Sequence, residues 1–263
     1  MILIQPSIDP IIISLGFIDI RWYSIAYILA FVFGSILIKQ FNRKSYNFLS
    51  NVQIDRFFIW AVISVIIGGR IGYVLFYQTN LLFLKPFYIF EIWKGGMSFH
   101  GGLIGIIFSI YIFSIKNRVN FFYLSDLVSI VAPLGLFLGR ISNFINTELY
   151  GRVTDFPIAI IYPQIDNNPR HPSQLYESFF EGIILFIILF FYFNKDPKKY
   201  LIGNISALFL IIYSIFRFII EYLREPDLHL GLFFNYFSMG QLLCIPLFFS
   251  CLIILLRKWE LKK

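Results

Sequence analysis

Seven apolar runs, at about 20–38, 57–77, 98–115, 123–143, 174–193, 201–222 and 237–256, alternate along the chain with short polar or proline-bearing stretches. A helix rises 1.5 Å per residue and needs roughly 20 apolar residues to cross the hydrocarbon core of a bilayer. It also satisfies its own backbone hydrogen bonds, which an irregular segment in lipid does not. Each run therefore predicts one spanning helix. The fold class expected is all-α, a polytopic membrane helical bundle with about seven transmembrane helices, with residues 1–263 as a single integral membrane domain and a small external face.

Charge placement orients the bundle. Lys39, Arg43, Lys44, Lys116, Arg118, Lys195, Lys198, Lys199, Arg257, Lys258, Lys262 and Lys263 fall on one side, twelve in all, and Arg21, Lys85, Lys94, Arg152, Arg170 and Arg224, six, on the other. The positive-inside rule puts the richer side, and with it the C-terminus, in the cytoplasm and the N-terminus outside. Arg56 borders the second span on the cytoplasmic side. The long loop from Asn146 to Pro172, with prolines at 157, 163, 169 and 172, then lies outside, where loops of that length carry function. Hydrophobic content of 58%, charged content of 14% and mean hydropathy of +0.75 agree with a lipid-embedded chain. The net charge of +7 is scattered in small groups and forms no single stripe, so no nucleic-acid partner is expected. No basic residue precedes Arg21 and no small-residue cleavage site follows the first run, so the first span is expected to remain in the mature chain.

The informative residues are the charges left inside the spans. Arg70, Arg140 and Arg217 sit towards the outer halves of the second, fourth and sixth runs, and Glu221 follows Arg217. An arginine at a helix centre costs about 2.5–3.5 kcal/mol on insertion scales, so three of them call for compensation, either by snorkelling or by a partner. Tyr213, Arg217, Glu221 and Arg224 are spaced by 4, 4 and 3 residues and share one helix face, where Arg217 and Glu221 can pair. Arg140 and Asn143 share another face, with Asn146, Glu148 and Arg152 beyond them. A guanidinium with amide donors beside it suits phosphate, because its planar fork binds two oxygens and keeps its proton.

Two pairs, Gly68/Gly72 and Gly101/Gly105, have the small-xxx-small spacing of close helix packing. His100 stands between Gly96 and Gly101–Gly102, where an imidazole can act as a base or simply be a satisfied core residue. His100, His171 and His229 lack metal-ligand spacing, so neither metal nor cofactor is expected. Cys244 and Cys251, seven apart in an apolar run, are expected to be inert buried thiols. Pro172–Ser173 opens the fifth run as a helix start with Ser173 as its cap and Tyr176 and Glu177 in the first turn; nothing around Ser173 makes it a hydrolase nucleophile.

SFHGGLIG, GRISNFINTELYGR, HPSQLYES and FRFIIEYLREPD, in that order, with RWYS at Arg21–Ser24 and SMGQLL at Ser238–Leu243, resemble the bacterial prolipoprotein diacylglyceryl transferases nearly end to end. Ser142 and Thr147 stand where many members have glycine, and Tyr150 where tryptophan is frequent. The resemblance implies a multi-pass enzyme of the bacterial inner membrane, so that the external face is periplasmic. Its partners would be phosphatidylglycerol, preprolipoprotein signal peptides and membrane lipids. It would move the diacylglyceryl group onto a lipobox cysteine as a thioether and release glycerol phosphate.

On that reading His100, Arg140 and Arg217 are the expected catalytic residues. Arg140 also contacts the lipid headgroup, with Asn143 and Asn146 as donors, and Tyr23, Glu148, Gly151, Tyr213, Glu221 and Arg224 shape the site. His100 is the favoured base by the resemblance, with Glu221 or Glu148 as alternatives for the proton. A transporter would instead carry polar residues through the full depth of the membrane in repeated halves, and a lipid-binding scaffold would not need His100.

Overall fold

The computed structural model describes residues 3–16, 19–92, 95–199, 202–226 and 236–260. Lys94, Leu201, Asp227, His229, Lys262 and Lys263 lie outside the described residues. The chain is mostly helical: α1 (Trp22–Lys44), α2 (Asn51–Tyr77), the short α3 (Thr79–Leu84), a 3-10 turn (Pro86–Phe90), α4 (Phe99–Asn117), α5 (Phe121–Ile145), α6 (Ser173–Lys195), α7 (Asn204–Ile220) and α8 (Met239–Glu260). Five of these, α1, α2, α4, α5 and α6, are long and apolar enough to cross a membrane, and α7 and the Met239–Ile253 stretch of α8 are shorter apolar helices. Large apolar side chains point outward throughout, among them Phe76, Phe108 and Phe191 at 68%, 61% and 68% exposure, which suits a lipid surround. This is a multi-pass helical membrane protein.

The helix ends follow local chemistry. α2 begins with a capping box in which Ser50 and Gln53 exchange backbone and side-chain hydrogen bonds. Ser98 caps α4 by accepting from the Gly101 N–H at 3.3 Å. The expected cap by Ser173 is not what the structure shows. Ser173 is the first residue of α6, fully buried, and its hydroxyl donates to the Leu149 carbonyl at 2.7 Å, tying the loop to the helix. Residues Ser178–Ile184 of α6 form a π-helical segment between two α-helical ones.

Short strands decorate the helices, a departure from the all-α expectation. β1 (Leu3–Ile4) runs parallel to β4 (Ile160–Ile161), which pairs antiparallel with β5 (Pro169–Arg170). β2 (Ile11–Ser14) and β3 (Asp19–Arg21) form an antiparallel pair just before α1. Their backbones lie outside the spans, where inter-strand pairing replaces helical hydrogen bonds.

The chain divides into two compact units, residues 1–34 with 128–263, and residues 35–127. In the second unit α2 and α4 meet along the predicted glycine seam. A Cβ on Gly68 would collide with the Gly101 carbonyl, and one on Gly72 would lie 2.8 Å from the Gly101 Cα. Without side chains at these positions the two backbones touch, which is how helices bind one another in lipid.

The second unit also resolves the fate of Arg70. It does not snorkel: it is 2% exposed, and its guanidinium donates to the carbonyls of Tyr88 (2.7 Å), Ile89 (3.2 Å) and Gly95 (2.5 Å), over the Tyr88 ring. Arg70 thus fastens the segment from the 3-10 turn to Gly95 against α2. His100 belongs to this unit, exposed in the first turn of α4.

In the first unit α7 packs on α8, and α6 closes on α5 where Gly182 meets Phe137. A Cβ on Gly182 would lie 2.9 Å from the Phe137 Cα. The Ser178 hydroxyl donates to the Phe137 carbonyl at 3.2 Å.

Candidate active site

The first unit gathers six ionised side chains from α5, α6 and the end of α7. Glu177 and Glu181, one turn apart on α6, have no exposed side-chain surface. Arg140 of α5 reaches Glu177 from Nε to Oε2 at 2.9 Å and approaches Glu181 at 3.6 Å. Arg217 of α7 donates from Nη1 to Glu177 Oε1 and pairs through Nη2 with Glu221 at 2.7 Å. The i, i+4 pair read from the sequence is therefore real, but it is one edge of a larger network. Arg224 stands 3.9 Å from both Glu177 and Glu221. Three arginines face three glutamates, which is formally neutral. Removing one member of such a buried set leaves an uncompensated charge, at a cost of about 3–5 kcal/mol.

A second group of side chains adjoins this one. The Asn143 amide donates to the Tyr23 hydroxyl and to Glu148 Oε2 (3.0 Å), and Asn146 donates to Glu148 Oε1 at 3.4 Å. Arg140 Nη1 links the two groups by donating to Asn143 Oδ1 at 3.5 Å. The buried Oδ1 of Asn146 receives no hydrogen bond. Arg140 keeps 15% and Arg217 11% of the side chain exposed, Glu221 and Arg224 8% each, while Glu177 and Glu181 are sealed.

The loop after α5 is held against this site. The Gly151 N–H donates to the His171 carbonyl at 2.9 Å and pairs as an isolated bridge with Arg224; a Cβ there would strike His171 and lie 2.7 Å from the Leu223 carbonyl. Only glycine fits. Arg152 donates to the Arg224 carbonyl at 3.0 Å, and Gln174 to the Glu148 carbonyl at 2.6 Å. Farther out, Arg170 binds Asp166 (2.6 Å) and Glu225 (3.1 Å). The hydrogen bond from Arg170 holds the Asp166 carboxyl down at about 2. Partial burial pushes the His171 imidazole below its usual value.

Every site residue expected from the sequence except His100 thus falls in one connected region: Tyr23, Arg140, Asn143, Asn146, Glu148, Gly151, Tyr213, Arg217, Glu221 and Arg224, with Tyr213 one turn before Arg217 on α7. Glu177 appeared in the sequence as a helix-start residue only, and Glu181 was missed. The available signal was two carboxylates four apart inside an apolar run, ESFFEGIILF.

The profile of the prolipoprotein diacylglyceryl transferase family matches residues 10–257. The chain belongs to this family. It is 45% identical over 258 residues to the phosphatidylglycerol–prolipoprotein diacylglyceryl transferase of Vibrio campbellii, covering 98% of this chain and 93% of the relative. It is 46% identical over 242 residues to the Rickettsia bellii protein of the same name, 92% of each, and 45% identical over 241 residues to that of Aeromonas salmonicida, 92% and 86%.

Thr147 stands where the resemblance leads glycine to be expected. Its φ of 59° lies in the left-handed region that glycine enters freely. The threonine is fixed there by a 3.1 Å hydrogen bond from its hydroxyl to Gln5. Tyr150 lies under the Arg170 guanidinium, 5.1 Å from ring centroid to Cζ, so an aromatic face is retained where tryptophan is frequent.

Proposed function

We propose that this transferase moves the diacylglyceryl group of phosphatidylglycerol onto the cysteine thiol of a preprolipoprotein lipobox, the first step of lipoprotein maturation. A thioether forms and glycerol phosphate leaves. The observation that carries the reading is the guanidinium pair of Arg140 and Arg217, both bound to the fully buried Glu177 while each keeps part of its own side chain exposed. Two fixed cations in a water-poor site are what a leaving phosphate needs as negative charge develops on it, and they do not have to reorganise during the reaction.

The lipid enters with its phosphodiester on Arg140 and Arg217, with Asn146 as an amide donor and Asn143 as a second once it releases Tyr23 or Glu148. Glu221 orients Arg217 and Glu148 orients both asparagines. Tyr23, Tyr213, Gly151 and Arg224 shape the walls. The thiol, with an intrinsic pKa near 8.5, attacks the glycerol carbon bearing the phosphate once its proton is taken or its thiolate is favoured by the arginine field. His100, at the exposed start of α4, is the base in this scheme. The carbon–oxygen bond to phosphate breaks as the carbon–sulfur bond forms, and the phosphate carries the electron pair away.

We also read the chain as one inner-membrane domain of seven spans, the shorter α7 and α8 included, with the N-terminus periplasmic and the C-terminus cytoplasmic.

The test is transfer of labelled diacylglyceryl from phosphatidylglycerol to a synthetic lipobox peptide by the purified chain, beside the same peptide with serine for cysteine. Label on the cysteine peptide alone, with glycerol phosphate released, is the expected result. Transfer to neither peptide by folded, lipid-bound protein refutes the reading. His100→Ala protein is expected to bind lipid without turning it over, which separates a catalyst from a scaffold.

A further inference from the structure

Glu181 is the one member of the ion network that the scheme above leaves unused. Its side chain is fully buried, and neither carboxylate oxygen receives a hydrogen bond. Among the described residues it is the buried carboxylate of which this is true of both oxygens. Its cations stand off, Arg140 Nη2 at 3.6 Å and Arg217 Nη1 at 4.0 Å. Glu177, by contrast, has Arg140 at 2.9 Å and a hydrogen bond from Arg217, and Glu221 has Arg217 at 2.7 Å. A buried carboxylate with distant cations and no donors is the least stabilised anion of the three. The groups facing it are Arg140 of α5, Tyr213 and Arg217 of α7, Cys244 of α8 and Glu177 of its own helix.

The charge count then matters. Three guanidiniums and three carboxylates balance, so a phosphodiester monoanion docking on Arg140 and Arg217 leaves the buried site with one excess negative charge. A closed, low-dielectric site removes such an excess by binding a proton. We infer that Glu181 takes up a proton as a phosphodiester headgroup binds, so that lipid and proton enter the site together. No covalent bond changes in this step: one proton moves from solvent to a Glu181 oxygen. The neutral acid no longer competes for Arg140 Nη2, and that nitrogen is free to bind a phosphate oxygen while Arg217 Nη1 keeps its bond to Glu177. Glu181 is thus a positioning residue whose charge state sets how tightly the arginines hold the headgroup. The inference rests on the headgroup assignment made above.

The experiment is calorimetric titration of the detergent-purified full chain with ether-linked phosphatidylglycerol. It is run from about pH 6 to about pH 9 in two buffers of different ionisation heat, with ether-linked phosphatidylcholine as the zwitterionic control. Uptake approaching one proton per lipid is expected on the alkaline side and less towards pH 6, with affinity for phosphatidylglycerol falling by up to about tenfold per pH unit on the alkaline side. Glu181→Gln protein is expected to bind phosphatidylglycerol without that proton and with a flat pH profile. An infrared difference spectrum of the unmodified chain is expected to gain a carboxylic-acid carbonyl band on lipid addition, readable because the ether lipid has no carbonyl. This measurement holds even where Glu181→Gln fails to fold. Binding of phosphatidylglycerol with no proton uptake, or uptake that persists in Glu181→Gln, overturns the inference while leaving the headgroup site intact. No preference of the unmodified chain for phosphatidylglycerol over the control overturns the headgroup assignment itself.

Discussion

Arg140 and Asn143, one turn apart on α5, are joined by a 3.5 Å hydrogen bond from Nη1 to Oδ1, and through it the ion network meets the Tyr23–Asn143–Glu148 group. An amide at 143 is the right group there because it accepts from the arginine through oxygen while donating to Glu148 through nitrogen. Asn143→Asp keeps the acceptor and loses both donations, setting a carboxylate against Glu148. Turnover is expected to fall on the order of 10²-fold, the scale of losing one preorganised donor, with insertion into the membrane unchanged. Transfer rates on protein quantified in isolated membranes check this, and wild-type turnover in Asn143→Asp would remove Asn143 from the site.

Arg140→Ala and Arg217→Ala are each expected to abolish measurable transfer, by roughly 10²–10³-fold or more, and Arg140→Lys to recover little, because an ammonium lacks the fork that spans two phosphate oxygens. Stability separates charge loss from catalysis. Arg217→Met alone takes one of two close cations from Glu177, leaves Glu221 with only Arg224 at 3.9 Å, and is expected to lower thermal stability, whereas Arg217→Met with Glu221→Leu removes a pair and recovers part of it without recovering transfer. An active Arg140→Ala enzyme sinks the phosphate assignment.

The glycine seam makes a prediction about fold alone. Gly68→Ala drives a methyl group into the Gly101 carbonyl, and overpacking of this kind costs about 1–3 kcal/mol. Gly139→Ala, which meets nothing within 4 Å, serves as the tolerated control. Thermal unfolding in detergent should separate the two by several degrees.

Cys244 and Cys251 are buried, and no disulfide joins them. The double replacement Cys244→Ala with Cys251→Ala is expected to keep transfer activity, since the reacting thiol belongs to the substrate. Loss of turnover in folded double-mutant protein contradicts the scheme.

Acid acts on the outer loop. Asp166 has its carboxyl lowered from 3.8 to about 2 by Arg170, so the folded loop favours the carboxylate. The stabilisation is therefore complete above about pH 4 and is lost as pH falls through 2. Cleavage of the 146–172 loop by an acid-tolerant protease is expected to accelerate as pH drops from 4 towards 2. In Asp166→Asn the loop should be cut faster at pH 4, with little further change on acidification.

Much of this was legible in sequence because it is periodic or expensive. Arg217 and Glu221 pair as their i, i+4 offset predicts, Arg224 comes within 3.9 Å of Glu221 although it lies past the end of α7 in the bridge to Gly151, and the glycines at 68, 72, 101 and 105 form the seam that their spacing announces. What escaped was long-range. Nothing local says that Arg140 finds its carboxylates on a helix 37 residues later, or that Arg70 is satisfied by carbonyls of a turn that hydropathy alone does not mark. The short strands escaped because two-residue pairings such as Leu3 with Ile160 leave no alternation to read.

The π-helical segment of α6 has a consequence for how this helix is built. Its buried residues Glu177, Glu181, Leu185, Leu189 and Phe193 recur every four positions. In a regular α-helix such a stripe drifts by about 40° per step and soon winds off any one neighbour. A wider π turn slows that drift. The two carboxylates can then stay in line with the apolar residues that anchor α6 below them. Loss of a single codon between 178 and 184 would consequently do more than shorten a loop of helix. Rewound as ordinary α-helix, this stretch would change the angle between Glu181 and its apolar anchors, and with it the approach of that carboxylate to Arg140, in a chain that still spans the membrane.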